Sequence, residues 1–180
     1  MGLKKGHIIE LGAGDGVTMS NTKALRDKGW TADLYDGDAA GDVTSLWITL
    51  ASMRQLKSTA CDFFAIDIDG NDYHILRWMF EQPDFKPSLI VAEINPIFGR
   101  LEHAIMPYDA NHVWQHDTWY GMSLTAAELL CEKHGYVLAY LHAGINAFFI
   151  RREDAFLCRP IAYTQKWDHR AHTHYIQWER

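Results

Sequence analysis

An α/β fold, built on a mostly parallel sheet with a C-terminal antiparallel hairpin, is what this 180-residue chain predicts, on three observations. Short apolar runs alternate with segments of helical spacing, which implies parallel strands joined by crossovers and covered on both faces. The first run, from His7 to Leu11, passes directly into Gly12, Ala13, Gly14, Asp15 and Gly16, with glycine at every second position. Acids close four of the runs, at Glu10, Asp36, Asp67 and Glu93, where open α/β sheets bind their ligands.

Each element follows from its own residues. Beyond the glycines, residues 17–28 place Met19 and Leu25 at helical intervals and meet a stop at Gly29, so a helix is expected with its positive end toward the loop. Residues 30–35 read as a second strand delivering Asp36, about twenty residues past the last glycine, where a ribose-binding acid sits; Asp38 is its substitute. Residues 38–43 are too short and polar for a full third strand, so that region reads as shortened. Residues 44–56 predict a helix with Leu46, Trp47, Leu50, Met53 and Leu56 facing inward. The run 63–66 is a buried strand ending in Asp67, Asp69 and Asp72, like charges so close that they require a reason.

A helix over 73–81, closed by Pro83, precedes the strand 88–92, which carries Glu93 and Asn95 at its end. Periodicity then fails over 96–121, a stretch with Tyr108, Trp114, Trp119, Tyr120, His103, His112 and His116, read as a substrate-facing lid. Ser123 caps a helix running to Lys133, stopped by Gly135, and the strands 136–141 and 147–150 form the hairpin. The aromatic tail 159–180 is expected to dock on the rest.

One domain accounts for the length and the 48% hydrophobic content. A net charge of −6 gives no global attraction to nucleic acid or anionic lipid. Cys61, Cys131 and Cys158 have no zinc spacing and are odd in number, so reduced thiols are expected. The start lacks a signal-type apolar region and no run reaches membrane-spanning length, which predicts a soluble cytoplasmic protein; oligomeric state stays open.

The glycine loop narrows the ligand. Val17 stands where a dinucleotide fingerprint has its third glycine, and Glu10 would oppose a pyrophosphate, so an NAD enzyme is disfavoured. A carboxylate there suits a cationic ligand such as the amino group of S-adenosylmethionine. An ordinary strand-to-helix turn is the plain alternative.

Three stretches, IIELGAGDG, FFAIDIDGNDY with LIVAEINPIFG, and YGMSLTAAELLCEKHGYVLAYLHAGINAFFIRRE, resemble the class I S-adenosylmethionine-dependent methyltransferases, and within them the FkbM-type group. The resemblance implies a Rossmann-like sandwich in which Glu10, Gly12, Gly14 and Gly16 hold the methionine end of the cofactor, Asp36 its ribose, and Asp67 lies beside it. The ends Asp67 and Glu93-Ile94-Asn95 are also similar to catechol-type O-methyltransferases, which implies magnesium at Asp67, Glu93 and Asn95, with Asp69 the other candidate for third ligand. The alternative is that Asp67 caps the next helix while Asp69 and Gly70 only make the turn. Gly70 stands where that pattern has a basic lysine, so the base is unassigned between Asp67, Asp69 and His116.

The expected activity is methyl transfer from S-adenosylmethionine to a hydroxyl of a sugar, glycan or other polar small molecule, with Trp114, Trp119 and Tyr120 available to stack on sugar faces. The competing expectation is a cofactor-binding or interaction domain without turnover, which the shortened third-strand region and the missing lysine favour.

Overall fold

The computed structural model describes residues 5–157. Seven strands form one sheet in the order β3-β2-β1-β4-β5-β7-β6. These are β1 His7–Leu11, β2 Thr31–Asp36, β3 Thr44–Ser45, β4 Phe63–Ile66, β5 Leu89–Glu93, β6 Tyr136–His142 and β7 Asn146–Arg151. The first five run parallel, and β7 lies antiparallel between β5 and β6. Every residue of β4 is buried, and so are Ile8, Ile9 and Leu11 of β1, as continuous apolar runs require when both faces are covered.

The two faces are covered unequally. On one, Ile9, Leu11, Phe64, Ile66, Ile90 and Ala92 meet Ile75, Leu76 and Met79 of α2 (Asp72–Phe80) and Leu124, Ala127 and Leu130 of α3 (Leu124–Lys133). The other holds a smaller cluster of Ile8, Phe63, Ala65 and Val91 with Leu25, Trp30 and Phe148 against it. Ser123 caps α3 by accepting the N–H of Ala126, and Gly135 follows with φ +85°, as the sequence leads one to expect. Ala143 and Gly144, both at positive φ, turn the chain between β6 and β7.

Two expected helices are corrected. Of residues 17–28, only α1, Lys23–Arg26, is helical. Side chains take the backbone donors that a longer helix would start from: Asp15 accepts the N–H groups of Val17 and Thr18, and Glu10 accepts that of Asn21. Residues 44–56 form the short β3 and a 3-10 turn, Ser52–Gln55, instead of a helix. Here Thr49 N–H donates to Ser52 Oγ and Ser52 N–H to Thr49 Oγ1, a reciprocal lock that favours a tight turn over helix propagation. Met53 is core as expected, whereas Trp47 is 48% exposed.

Among the described residues no helix is long and apolar enough to cross a membrane. Cys131 is buried and Cys61 half-buried; both are free thiols, and burial pushes the Cys61 thiol up to about 12. Cys158 and the aromatic tail 159–180 lie outside the described residues.

Candidate functional site

The sheet grows from β1 in opposite directions, toward β2 and β3 on one side and toward β4 and β5 on the other. The loops leaving β1 and β4 therefore diverge, and a crevice opens at the carboxyl ends between them. A cleft of about 270 Å³ lies there, lined by Gly12 after β1, by Asp36, Gly37 and Asp38 after β2, by Trp47 and Ile48 after β3, and by Asp67–Asp69 after β4. The lid adds His112, Val113, Trp114 and His116.

The glycine loop is shaped from within. Gly12 has φ +83°, and a Cβ there would lie 1.6 Å from the Asp67 carbonyl oxygen, so its glycine answers a close approach of two strand ends. At Gly16 a Cβ would press on Val43 and Leu34, whereas at Gly14 it would meet nothing. Gly14 N–H donates to Asp36 Oδ2 at 2.8 Å and Asp38 N–H to Oδ1 at 2.8 Å, which fixes the Asp36 carboxylate at the cleft wall.

Glu10 is placed differently from its expected role. Only 1% exposed, it accepts Ser20 Oγ–H, Asn21 N–H and Thr22 Oγ1–H. Its carboxylate braces the loop from behind and does not line the cleft. Arg26 completes the brace by donating to the Gly16 carbonyl and to Ser20 Oγ.

The acids after β4 and β5 converge. Ligand oxygens of Asp67, Asp69 and Glu93 all lie within 4.8 Å of one another. Burial first, then the facing carboxylates, raises Asp67 to about 7 and pushes Glu93 well above the ordinary carboxylate range. Oε2 of Glu93 is buried without a hydrogen-bond partner. Asp69 is raised by burial and by Asp36. Asp67 is not a helix cap. Asp72 holds that turn, accepting the N–H groups of Ile68 and Gly70.

Asn95, expected as a metal ligand, is engaged with the backbone of the lid and of its own turn. It is 2% exposed; its Nδ2 donates to the carbonyls of Thr118 and Tyr120, and its Oδ1 accepts Ile97 N–H. Its work is to tie down the lid, and Asp69 takes the third place in the acid cluster. Asn71 grips the middle of the lid, exchanging two hydrogen bonds with the backbone of Asp109 at 2.7 and 3.1 Å.

Of the lid residues, His116 and Trp114 reach the cleft, their rings 4.7 Å apart, and His116 holds φ +59°. Tyr120 packs 5.6 Å from Trp114, and burial with the nearby Glu93 raises its phenol strongly. Trp119 and His103 do not line the cleft. His112, which the sequence places in the lid without a role, also lines the cleft. Its Nε2 meets the Asp69 carbonyl at 3.1 Å, and its ring fills the space above Gly70, where a Cβ would come within 2.4 Å of Cδ2. The glycine at position 70 was the available signal, since a missing side chain marks a place that another residue can occupy.

No family model matches the chain. No curated protein is significantly similar to it.

Proposed function

We propose that the chain is an S-adenosylmethionine-dependent O-methyltransferase acting on a hydroxyl of a sugar, glycan or other polar small molecule, with a divalent cation such as magnesium assisting. One observation carries this reading. The ends of β1, β2 and β4 bring a glycine loop, a backbone-fixed ribose-type acid and an acidic cluster to one crevice at the sheet's switch point. The mostly parallel sheet with its C-terminal hairpin agrees with the Rossmann-like methyltransferase sandwich that the sequence resembles.

The residues fit a hard cation. Three carboxylates offer oxygens close enough to share one ion, and Oε2 of Glu93 is buried with no protein donor to it. Asp67, Asp69 and Glu93 would hold the ion, which would supply the positive charge that lowers the pKa of an acceptor hydroxyl. Asp36 would orient the ribose hydroxyls. The Asp69 carbonyl can only accept, so Nε2 of His112 carries a proton and Nδ1 is the nitrogen free to take another. His112 Nδ1 and the His116 imidazole would receive the hydroxyl proton, and Trp114 would cover one side of the cleft.

Binding without turnover is the second reading. Gly70 favours it, because it stands where the catechol-type pattern has a basic lysine, and the His112 ring fills the space above it.

Calorimetric titration with S-adenosylhomocysteine, with and without magnesium, followed by methyl transfer to a panel of sugars and polar hydroxylated metabolites, separates the two. The proposal expects binding and magnesium-dependent transfer. No binding at all would remove it, and binding without transfer would leave the second reading.

A further inference from the structure

The second face of the sheet ends in an apolar patch. Register aligns Leu89 of β5 with Ile150 of β7 and Val137 of β6, and in the next row of that face Val91 with Phe148 and Tyr140. Residues paired across strands point to one side, and Phe148 packs against the cluster that holds Val91, so this is the face opposite α2 and α3. Leu89, Val137, Phe148 and Ile150 are half-buried there, and Tyr140, its ring 5.7 Å from that of Phe148, is 53% exposed. In the connection from β1 to β2, α1 brings only Leu25 to this face, and among the described residues no helix lies over its β5, β7 and β6 part. A mostly parallel sheet is covered on both faces, and a contiguous apolar patch without cover marks an interface.

The chain itself leaves the sheet beside this patch. After β7 the 3-10 turn Arg152–Leu157 packs on β6 and β7, and residues 158–180, which follow it, lie outside the described residues. Their sequence has the pattern of a covering segment. Tyr163, Trp167, Ala171, Tyr175 and Trp178 recur three or four residues apart, the spacing of one helical face, while Lys166, His169, Arg170 and Gln177 fall on the other side. Arg159, Lys166, Arg170 and Arg180 outnumber Asp168 and Glu179, so 158–180 is positive where the whole chain carries −6, and the two attract. Residues 158–162 can bridge up to about 17 Å, and a helix over 163–178 would be about 24 Å long, against about 14 Å from β4 to β6 at ~4.8 Å per strand.

We propose that the segment 163–178 docks on the second face of β5, β7 and β6, seating its aromatic side on Leu89, Val137, Tyr140, Phe148 and Ile150. The carboxyl-terminal segment is then the missing layer of the domain, and the patch is an internal docking surface. Tethering decides between this occupant and a second copy of the chain: a segment that starts beside the patch meets it at an effective concentration on the order of millimolar, far above that of a separate molecule. The proposal is independent of the methyltransferase reading and holds with or without a bound cofactor.

The test uses the full chain with Cys158→Ser, one cysteine on the patch, Tyr140→Cys, and one on the segment, Ala171→Cys, treated at low protein concentration with a short bismaleimide. A link within one molecule is expected, read by mass spectrometry of the monomer. The control pair Leu101→Cys with Ala171→Cys, whose first position is 91% exposed beside the lid, should stay unlinked. No link at Tyr140→Cys, or a link to Leu101→Cys in its place, overturns the docking; links only between two molecules overturn it too and assign the patch to a second copy. A second readout is the rate at which a maleimide labels Tyr140→Cys alone. Adding Trp167→Ser should quicken it on the order of 10- to 100-fold, the change in docking equilibrium from unburying one large apolar side chain. A rate that Trp167→Ser leaves unchanged overturns the proposal as well.

Discussion

Gly12 and Gly14 look alike in the sequence, two residues apart in one loop, yet the structure gives them opposite meanings. Gly12 must be glycine for the fold, because a Cβ would sit 1.6 Å from the Asp67 carbonyl oxygen in a left-handed backbone. Gly12→Ala is expected to cost several kcal/mol, at least the ~1–3 kcal/mol of overpacking together with ~1–2 kcal/mol of left-handed strain. Gly14, also left-handed at φ +55°, has open space around it. Gly14→Ala should stay folded at a cost of about 1–2 kcal/mol of backbone strain, and Gly14→Val should abolish S-adenosylhomocysteine binding by filling that space. Thermal melts paired with calorimetry read both effects. Wild-type affinity in a folded Gly14→Val protein would show that the ligand does not approach this loop.

At the scale of elements, the lid is a segment without regular structure that two asparagines hold, one at its middle and one near its C-terminal end. Asn71 starts α2 and Asn95 follows β5, so each grips the lid from a rigid element. This separates two roles that sequence proximity had merged, ligand to a cation and anchor of the lid. Asn95→Ala leaves two buried carbonyl contacts unmade and should destabilise the chain by ~1–3 kcal/mol, with magnesium affinity retained. Asp69→Asn should do the reverse, sparing stability while removing magnesium binding. Calorimetry with the metal alone, alongside denaturant melts, distinguishes them; loss of magnesium affinity in a folded Asn95→Ala protein would restore Asn95 as a ligand.

For the whole molecule, the acid cluster links stability to pH. Asp67 is raised above the ordinary carboxylate range by burial and by Asp72 and Asp69, and Glu93 by burial and by Asp67. The folded state therefore holds protons that the unfolded state has already released, and stability falls as pH rises from about 4 through the Asp67 value near 7. A cation held by the same oxygens favours the deprotonated form and opposes that loss. Melts in excess chelator should show a Tm that declines from pH 5 to pH 8, and added magnesium should raise Tm more at pH 8 than at pH 5. A chelated Tm that rises across this interval would show that the carboxylates ionise freely in the folded chain.

How much of this could be read beforehand divides along sequence separation. Strands β1, β4 and β5, helix α3 with its Ser123 cap, and the C-terminal hairpin were legible because each depends on apolar runs and turn residues that are neighbours in the chain. The acids Asp36, Asp67 and Glu93 were legible for the same reason, as residues that close such runs. The expected helices over 17–28 and 44–56 failed where Asp15, Glu10, Thr49 and Ser52 captured backbone donors, a competition that apolar spacing does not register. Only the tertiary structure could turn Glu10 away from the cleft, bind Asn95 to Thr118 and Tyr120, seat His112 over Gly70 and fasten Trp47 to Ala110. Those partners lie from 10 to 63 residues away along the chain. What the residues determine alone is where strands end and what they carry; which of those groups share a cleft is decided by the order of strands in the sheet, and that order is a property of the packed chain.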